Sequence, residues 1–309
     1  MTSRSTKVAL TALAAVGATG VSTAVWGIGI ERYLFTVRTR DVHVLPPGSQ
    51  PLRVLHISDA HMAPWQHRKQ EWIASLAGLK PDLVINTGDN LGHPRGLEGI
   101  RGALSAFRGV PGLYVHGSND LVAPSPRNPL RYFLGPSSHT PAAAPLDTHA
   151  LDTFLQDELG WRGLNNSTAT FRIGDLRINA FGVDDAHRQW DDIPSLAPEI
   201  GKLKKRTDLT LGVTHAPYRR VLDAFVDFGA NAILAGHTHG GQVRIPGSSK
   251  ALVANCDIPL DQARGLSSWS HGGTAAPLNV SAGIGHSIYA PVRFGCRPEA
   301  SLLTLLPRA

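Results

Sequence analysis

From Leu52 onward the apolar positions fall into a repeating rhythm: a short apolar run, a polar loop, then an amphipathic stretch. Residues 52–58, 82–87 and 113–116 are short, mostly apolar runs, which predicts buried strands, and segments around 68–79 and 97–107 carry helical spacing between them. Strand alternating with helix implies βαβ units and a largely parallel sheet, hence an α/β fold. Residues 168–173 and 176–181 flank Gly174-Asp175, a hairpin signal. A run at 209–213, a helix over 217–228 and a strand over 232–235 then resume the first rhythm. The runs at 278–282 and 300–306 lack helical period and predict antiparallel strands at the end of the chain. Segment 123–146, rich in Pro, Ser and Ala, predicts a long loop of the kind that often serves as a lid.

The N-terminal region follows a different pattern. Residues 8–30 contain no charge, a run long enough to cross a bilayer as a helix. A retained single-pass anchor at the cell membrane is the expectation, and membrane lipid is thereby an expected partner. A cleaved signal peptide competes with it, because Ala, Gly and Ser supply small residues at several cleavage points. Arg4 and Lys7 precede the run and Glu31, Arg32, Arg38 and Arg40 follow it, so charge leaves the orientation open. The chain is read as an anchor over 1–31, a lead-in strand and linker over 32–51 with a turn at Pro46-Pro47-Gly48, and one domain over 52–309.

Composition narrows the functional classes. An apolar content of 42% in 309 residues suits a sizeable core. The net charge of +6 is scattered, with no aromatic-basic cluster, so no nucleic acid is expected as a partner. No obligate protein partner is evident. Cys256 and Cys296 are the only cysteines and lie in no metal-binding pattern, which argues against a thiolate site or a disulfide framework.

The candidate chemistry lies where the strand runs end. Asp59 and His61 follow the first run, Asp89 the second, and Asn119 and Asp120 the third; His215, then His237 and His239, follow the resumed strands. In open α/β sheets such endings converge on one crevice. Carboxylate, carboxamide and imidazole together suit two divalent first-row metals, and Asp89, central in the order, is the natural bridging carboxylate.

In this order Asp59-Ala60-His61, Gly88-Asp89, Asn119, His215 and Gly236-His237-Thr238-His239 resemble the signature of calcineurin-like metallophosphoesterases. The tail from Tyr289 to Glu299 resembles the membrane-anchored bacterial branch of that family. The resemblance implies a sandwich of mixed β-sheets flanked by helices, and a dinuclear centre of Mn, Fe, Zn or Mg. Asp59, His61 and His239 would hold the first metal and Asn119, His215 and His237 the second, with Asp89 and a nucleophilic hydroxide between them. It implies hydrolysis of a phosphoester substrate, and an anchor makes lipid-linked or envelope phosphoesters attractive. The alternative is a non-catalytic metal-binding sensory domain at the membrane.

One position departs from the family pattern. The residue after the Asn ligand is usually His, and here it is Asp120, a catalytic candidate of uncertain fit because a carboxylate repels phosphate. A second alignment places Ser118 at the metal, which the weaker donor strength of a neutral hydroxyl disfavours. His116 and His286 are then candidates for the leaving-group acid. His56, His67, His93, His139, His149, His187 and His271 are read as structural, and Asp184-Asp185 either as support for the ligands or as a turn at the hairpin's end.

Overall fold

The structure, a computed structural model, describes residues 17–126, 135–137, 144–203 and 206–308. Two six-stranded mixed sheets face one another. The first runs in the order β1 (Thr36–Leu45), β12 (Glu299–Pro307), β2 (Leu52–Ile57), β3 (Leu83–Asn86), β4 (Gly112–Tyr114), β5 (Arg162–Gly163). The second runs β10 (Gly265–His271), β11 (Thr274–Val280), β9 (Ala232–Ala235), β8 (Leu209–Thr214), β7 (Leu176–Gly182), β6 (Ser167–Ile173).

Alternation within each strand divides the core into layers. In β2, Leu52 and Val54 pack between the sheets while Leu55 and Ile57 pack against helices on the outer face. In β8, Leu209, Leu211 and Val213 take the inner positions. Burial on both faces is what a central strand beside parallel neighbours requires, and it explains why these segments read as continuous apolar runs. Helices α1 (His67–Ser75) and α2 (Gly96–Leu104) cover the first sheet, with Ile73, Ile100 and Leu104 turned inward. Three further helices are α3 (Ser118–Leu121), α4 (Thr148–Thr153) and α5 (Ile193–Lys202). The last, α6 (Arg219–Asp227), buries Val221, Leu222, Phe225 and Val226 along one stripe against the second sheet. The result is a four-layer α/β/β/α sandwich.

Several expectations are refined. Residues 36–45, read as lead-in and linker, form β1 and pair along their length with β12. The end of the chain is only half antiparallel: β11 pairs antiparallel with β10 but parallel with β9, and β12 pairs antiparallel with β2 but parallel with β1. Residues 281–282 leave the sheet because the chain bends toward the loop after β2, where the Ile284 amide donates to the Ser58 carbonyl at 3.0 Å. Of the expected anchor, residues 8–16 lie outside the described residues; 17–24 are helical and Val25–Ile30 form a wider π-type turn. Among the described residues no helix is long and apolar enough to cross a membrane. Much of segment 123–146, including His139, also lies outside them.

Candidate metal centre

The carboxyl ends of β2, β3, β4, β8 and β9 meet at one end of the sandwich, so both sheets contribute to one pocket. The loops after β2 and β3 lie side by side: the Asp59 amide donates to Gly88, His61 to Asp89 and Met62 to Asn90, at 2.7–2.9 Å. That backbone ladder sets the positions of the first three ligands. Asp59, His61, Asp89, His237 and His239 all hold left-handed backbone conformations, with φ between 39° and 68°. Such conformations cost side-chain-bearing residues of order 1–3 kcal/mol each, and they persist only where the surroundings enforce them.

Asp59, His61 and His239 offer ligand atoms within 4.8 Å of one another, as do Asp59, Asp89 and His215. Asp89 Oδ2 lies 3.4 Å from His61 Nε2 and 3.6 Å from His215 Nε2, so its carboxylate stands between the groups. His61 Nε2 and His239 Nε2 face each other at 3.1 Å. His237 Nδ1 reaches to 3.3 Å from His215 Nε2. Asp59 Oδ1 is buried with no hydrogen-bond partner, 3.6 Å from His239 Nε2. An unpaired buried carboxylate oxygen among converging imidazole nitrogens is costly alone and fits a divalent cation. The crowding also requires small neighbours. A Cβ on Gly117 would stand 2.2 Å from Asp89 Oδ1, and one on Gly236 would stand 2.0 Å from Ser58 Oγ.

Supporting hydrogen bonds fix how the ligands point. In its neutral form His215 donates Nδ1–H to the Thr87 carbonyl at 2.7 Å, which turns Nε2 toward Asp89. His237 donates Nε2–H to the Asn255 carbonyl at 3.1 Å, leaving Nδ1 for the pocket. Asn119 donates its backbone N–H (2.8 Å) and side-chain Nδ2 (2.7 Å) to the two oxygens of Asp89. A one-way relay ends on Asp59. Asn279 donates to His56 (2.8 Å), His56 to Thr87 Oγ1 (2.9 Å), Thr87 to Ser58 Oγ (2.6 Å), and Ser58 to Asp59 Oδ2 (2.5 Å).

Electrostatics follow from this packing. Burial works against charge on Asp89, but His215, His61 and the bonds from Asn119 outweigh it and hold the carboxyl down to about 2. Burial raises Asp59 and Asp185 above the usual carboxylate range. Burial lowers His61 and His237 to about 4 and His239 well below its ordinary value, so these imidazoles are neutral near pH 7. His215 goes the other way: burial opposes charge, but Asp89, Asp185 and Asp59 push it up to about 9.

The structure brings all seven expected ligands to this pocket and gives Asp120 a different place. Asp120 is fully buried behind the wall. It accepts from the amides of Asn90 (2.7 Å), Leu91 (3.2 Å) and Gly117 (3.2 Å), and from Asn90 Nδ2 (3.3 Å). A carboxylate occupied in this way clamps the loops after β3 and β4 together and is turned toward their backbone, away from the cavity wall. Ser118, set aside on donor strength, lines the cavity beside Asn119, and its amide donates to Asp185 Oδ2 at 2.9 Å. Neither His116 nor His286 lies on the cavity wall, whereas His187, read as structural, does. Its ring centroid sits 4.5 Å from that of His237, and Ser137 Oγ and Tyr218 OH hold its nitrogens at 2.8 and 3.0 Å.

His116 instead bridges two carboxylates, with Nε2 2.9 Å from Asp152 Oδ1 and Nδ1 3.6 Å from Asp120 Oδ2. Burial opposes its charge, yet Asp120 and Asp152 raise its pKa to about 10. Because this lies above the unfolded value of about 6.5, the protonated ring stabilises the fold fully below pH ~6.5, and the effect disappears as pH rises through about 10. His116→Gln is therefore expected to cost about 3 kcal/mol in urea unfolding at pH 6, and much less at pH 10.5. A penalty independent of pH contradicts the assignment.

Layering and pocket together define the class, an α/β/β/α sandwich whose strand ends form a site suited to divalent metal. Sequence comparison carries this one step further: the profile of the calcineurin-like phosphoesterases matches residues 52–241, more than half of the chain, and the chain belongs to that family. It is a metallophosphoesterase, a phosphoric ester hydrolase. Among its relatives, the uncharacterised metallophosphoesterase YkoQ of Bacillus subtilis is 24% identical over 259 residues, covering 82% of this chain and 84% of the relative. YkuE of the same organism, also an uncharacterised metallophosphoesterase, is 23% identical over 301 residues, 93% of each chain. Among solved structures, a dimetal phosphatase from Danio rerio covers 75% of this chain and 88% of its own, at 9% identity and a TM-score of 0.41.

Proposed function

We propose that the protein hydrolyses phosphoesters with two divalent cations held in this pocket, the first by Asp59, His61 and His239 and the second by Asn119, His215 and His237, with Asp89 between them. The observation that carries this is the carboxylate of Asp89 standing 3.4 and 3.6 Å from imidazoles of both groups. Two such cations, when bound, neutralise charge on the phosphoryl oxygens and make water acidic enough to attack near neutral pH.

The chain's own residues supply precision. Asn119 fixes both oxygens of Asp89, the relay from Asn279 fixes Asp59, and the Thr87 and Asn255 carbonyls fix the tautomers of His215 and His237. In the overall reaction a water oxygen bonds to phosphorus, the ester P–O bond breaks, and the leaving alkoxide takes up a proton originating from that water.

The test is direct. Full chain loaded with Mn2+ or Fe2+ is expected to release nitrophenolate from 4-nitrophenyl phosphate or its bis-ester, and chelation should abolish release. Full metal occupancy without turnover of either ester sinks the catalytic reading and favours a metal-binding sensory role. The uncharged run over 8–30 supports the accompanying proposal that the chain is held at the cell membrane by its N-terminus. Recovery of the expressed full chain entirely in the supernatant after ultracentrifugation contradicts it.

A further inference from the structure

The pocket is larger than a bare phosphate needs: a cavity of about 240 Å3 opens from the metal ligands. Beside His61, Asp89 and His239 its wall includes Val122, Val243, Leu252, Val253, Tyr289 and Val292, together with the polar side chains of Arg188, Gln242, Asn255 and Ser287. Leu252 and Tyr289 remain 39% and 46% exposed, so the apolar wall continues to the surface. A pocket that joins metal-ligating groups to apolar side chains suits a substrate that carries both a phosphate and hydrocarbon.

The same wall is fastened to the N-terminal segment. The buried carboxylate of Glu31 accepts from the amides of Gly295 (3.0 Å) and Cys296 (2.8 Å), and the Arg293 amide donates to the Gly27 carbonyl at 3.1 Å. Gly27 lies so close to Val292 that a Cβ there would stand 3.1 Å from its side chain. One strap, residues 289–297, therefore carries the cavity wall and is held by the end of the N-terminal run. That run leaves Val21, Val25, Ile28 and Ile30 exposed, and the sequence continues it without charge back to Val8. An N-terminus that enters a bilayer therefore holds this strap, and with it part of the cavity wall, close to the membrane.

We infer that the substrate is a membrane lipid whose phosphate is esterified to a hydrocarbon chain, drawn from the bilayer that the N-terminal segment enters. Its phosphate lies at the ligands, and the first methylenes of its chain lie along Val243, Leu252, Val253 and Tyr289. This rests on the hydrolase reading above.

The test uses Mn2+-loaded full chain in phosphatidylcholine vesicles with paired esters: methyl and hexadecyl phosphate, and methyl and hexadecyl 4-nitrophenyl phosphate, the hexadecyl compounds embedded in the vesicles. Enrichment of the embedded ester at the membrane surface that holds the enzyme, with its first methylenes received by the apolar wall, predicts at least about a tenfold higher kcat/KM for the hexadecyl member of whichever pair is cleaved. Leu252→Asp, at a half-exposed position that folding tolerates, is expected to lower the hexadecyl-to-methyl ratio by about tenfold, whatever its effect on absolute rates. Equal rates for the two chain lengths, or a ratio unmoved by Leu252→Asp, overturn the inference and leave the hydrolase reading standing. A preference for the hexadecyl member in detergent micelles that is lost when the same esters are embedded in vesicles overturns the membrane source. No cleavage of any ester sinks both this inference and the hydrolase reading beneath it.

Discussion

Asp89→Asn is expected to lower kcat/KM by at least about a thousandfold and to reduce bound metal to one equivalent or less. The neutral amide keeps the shape of the side chain but removes the charge that faces His61 and His215 at 3.4 and 3.6 Å. It also presents an N–H where Asn119 already donates at 2.7 Å, so donor meets donor and the side chain must turn. Losing the oxygen that stands between the two ligand groups removes the electrostatic part of the catalysis, which in comparable sites is worth several kcal/mol. Metal analysis of the purified variant beside its kcat/KM checks both halves. Retention of two metals with undiminished turnover would show that the carboxylate has no bridging role.

The second large effect is expected in stability. Arg293 is fully buried, and its guanidinium donates to the carbonyls of His239 (3.1 Å), Ala282 (2.8 Å), Gly283 (3.2 Å) and Gly285. Arg293→Ala strands these acceptors and opens a void, at a cost of about 3–5 kcal/mol. His239 sits at a left-handed φ of 49° and has its carbonyl fixed by this guanidinium, so the variant should also lose metal at low free concentrations. Arg293→Lys restores charge but cannot span the fork of acceptors, and is expected to recover less than half of the lost stability. Urea unfolding of the metal-free proteins reads the first effect and titration with Mn2+ the second. An alanine variant as stable as the parent would show that those carbonyls find other donors.

The parts of the site that lie next to strands were legible in the chain. Asp59, Asp89, His215 and His237 directly follow apolar runs long enough to be read, and a strand's end fixes where the next side chains go. The short string Gly117-Ser118-Asn119-Asp120 was ambiguous by one residue. Only its hydrogen bonds show that Asp120 faces the backbone of Asn90 and Leu91 while Ser118 and Asn119 face the cavity. The relay from Asn279 through His56 to Asp59 links residues more than two hundred positions apart and leaves no local pattern. Helix α5 was missed because Pro198 lies inside its ten residues; Pro194 sits in the first turn, where proline is tolerated, and the Asp192 side chain caps the helix by accepting from the Ser195 amide. Glu31 counted in the sequence only as a flanking charge, although its carboxylate is among the most buried in the protein.

The order of strands in the first sheet has a consequence for how the chain matures. β12, made about 250 residues after β1 and β2, lies between them. Until β12 has left the ribosome, those two early strands have a gap between them and each presents an unpaired edge. Long-range closure of this kind is slow and leaves a growing chain open to mispairing. The early strands therefore stay waiting while the whole of the second sheet is made, and only the arrival of β12 seals the first.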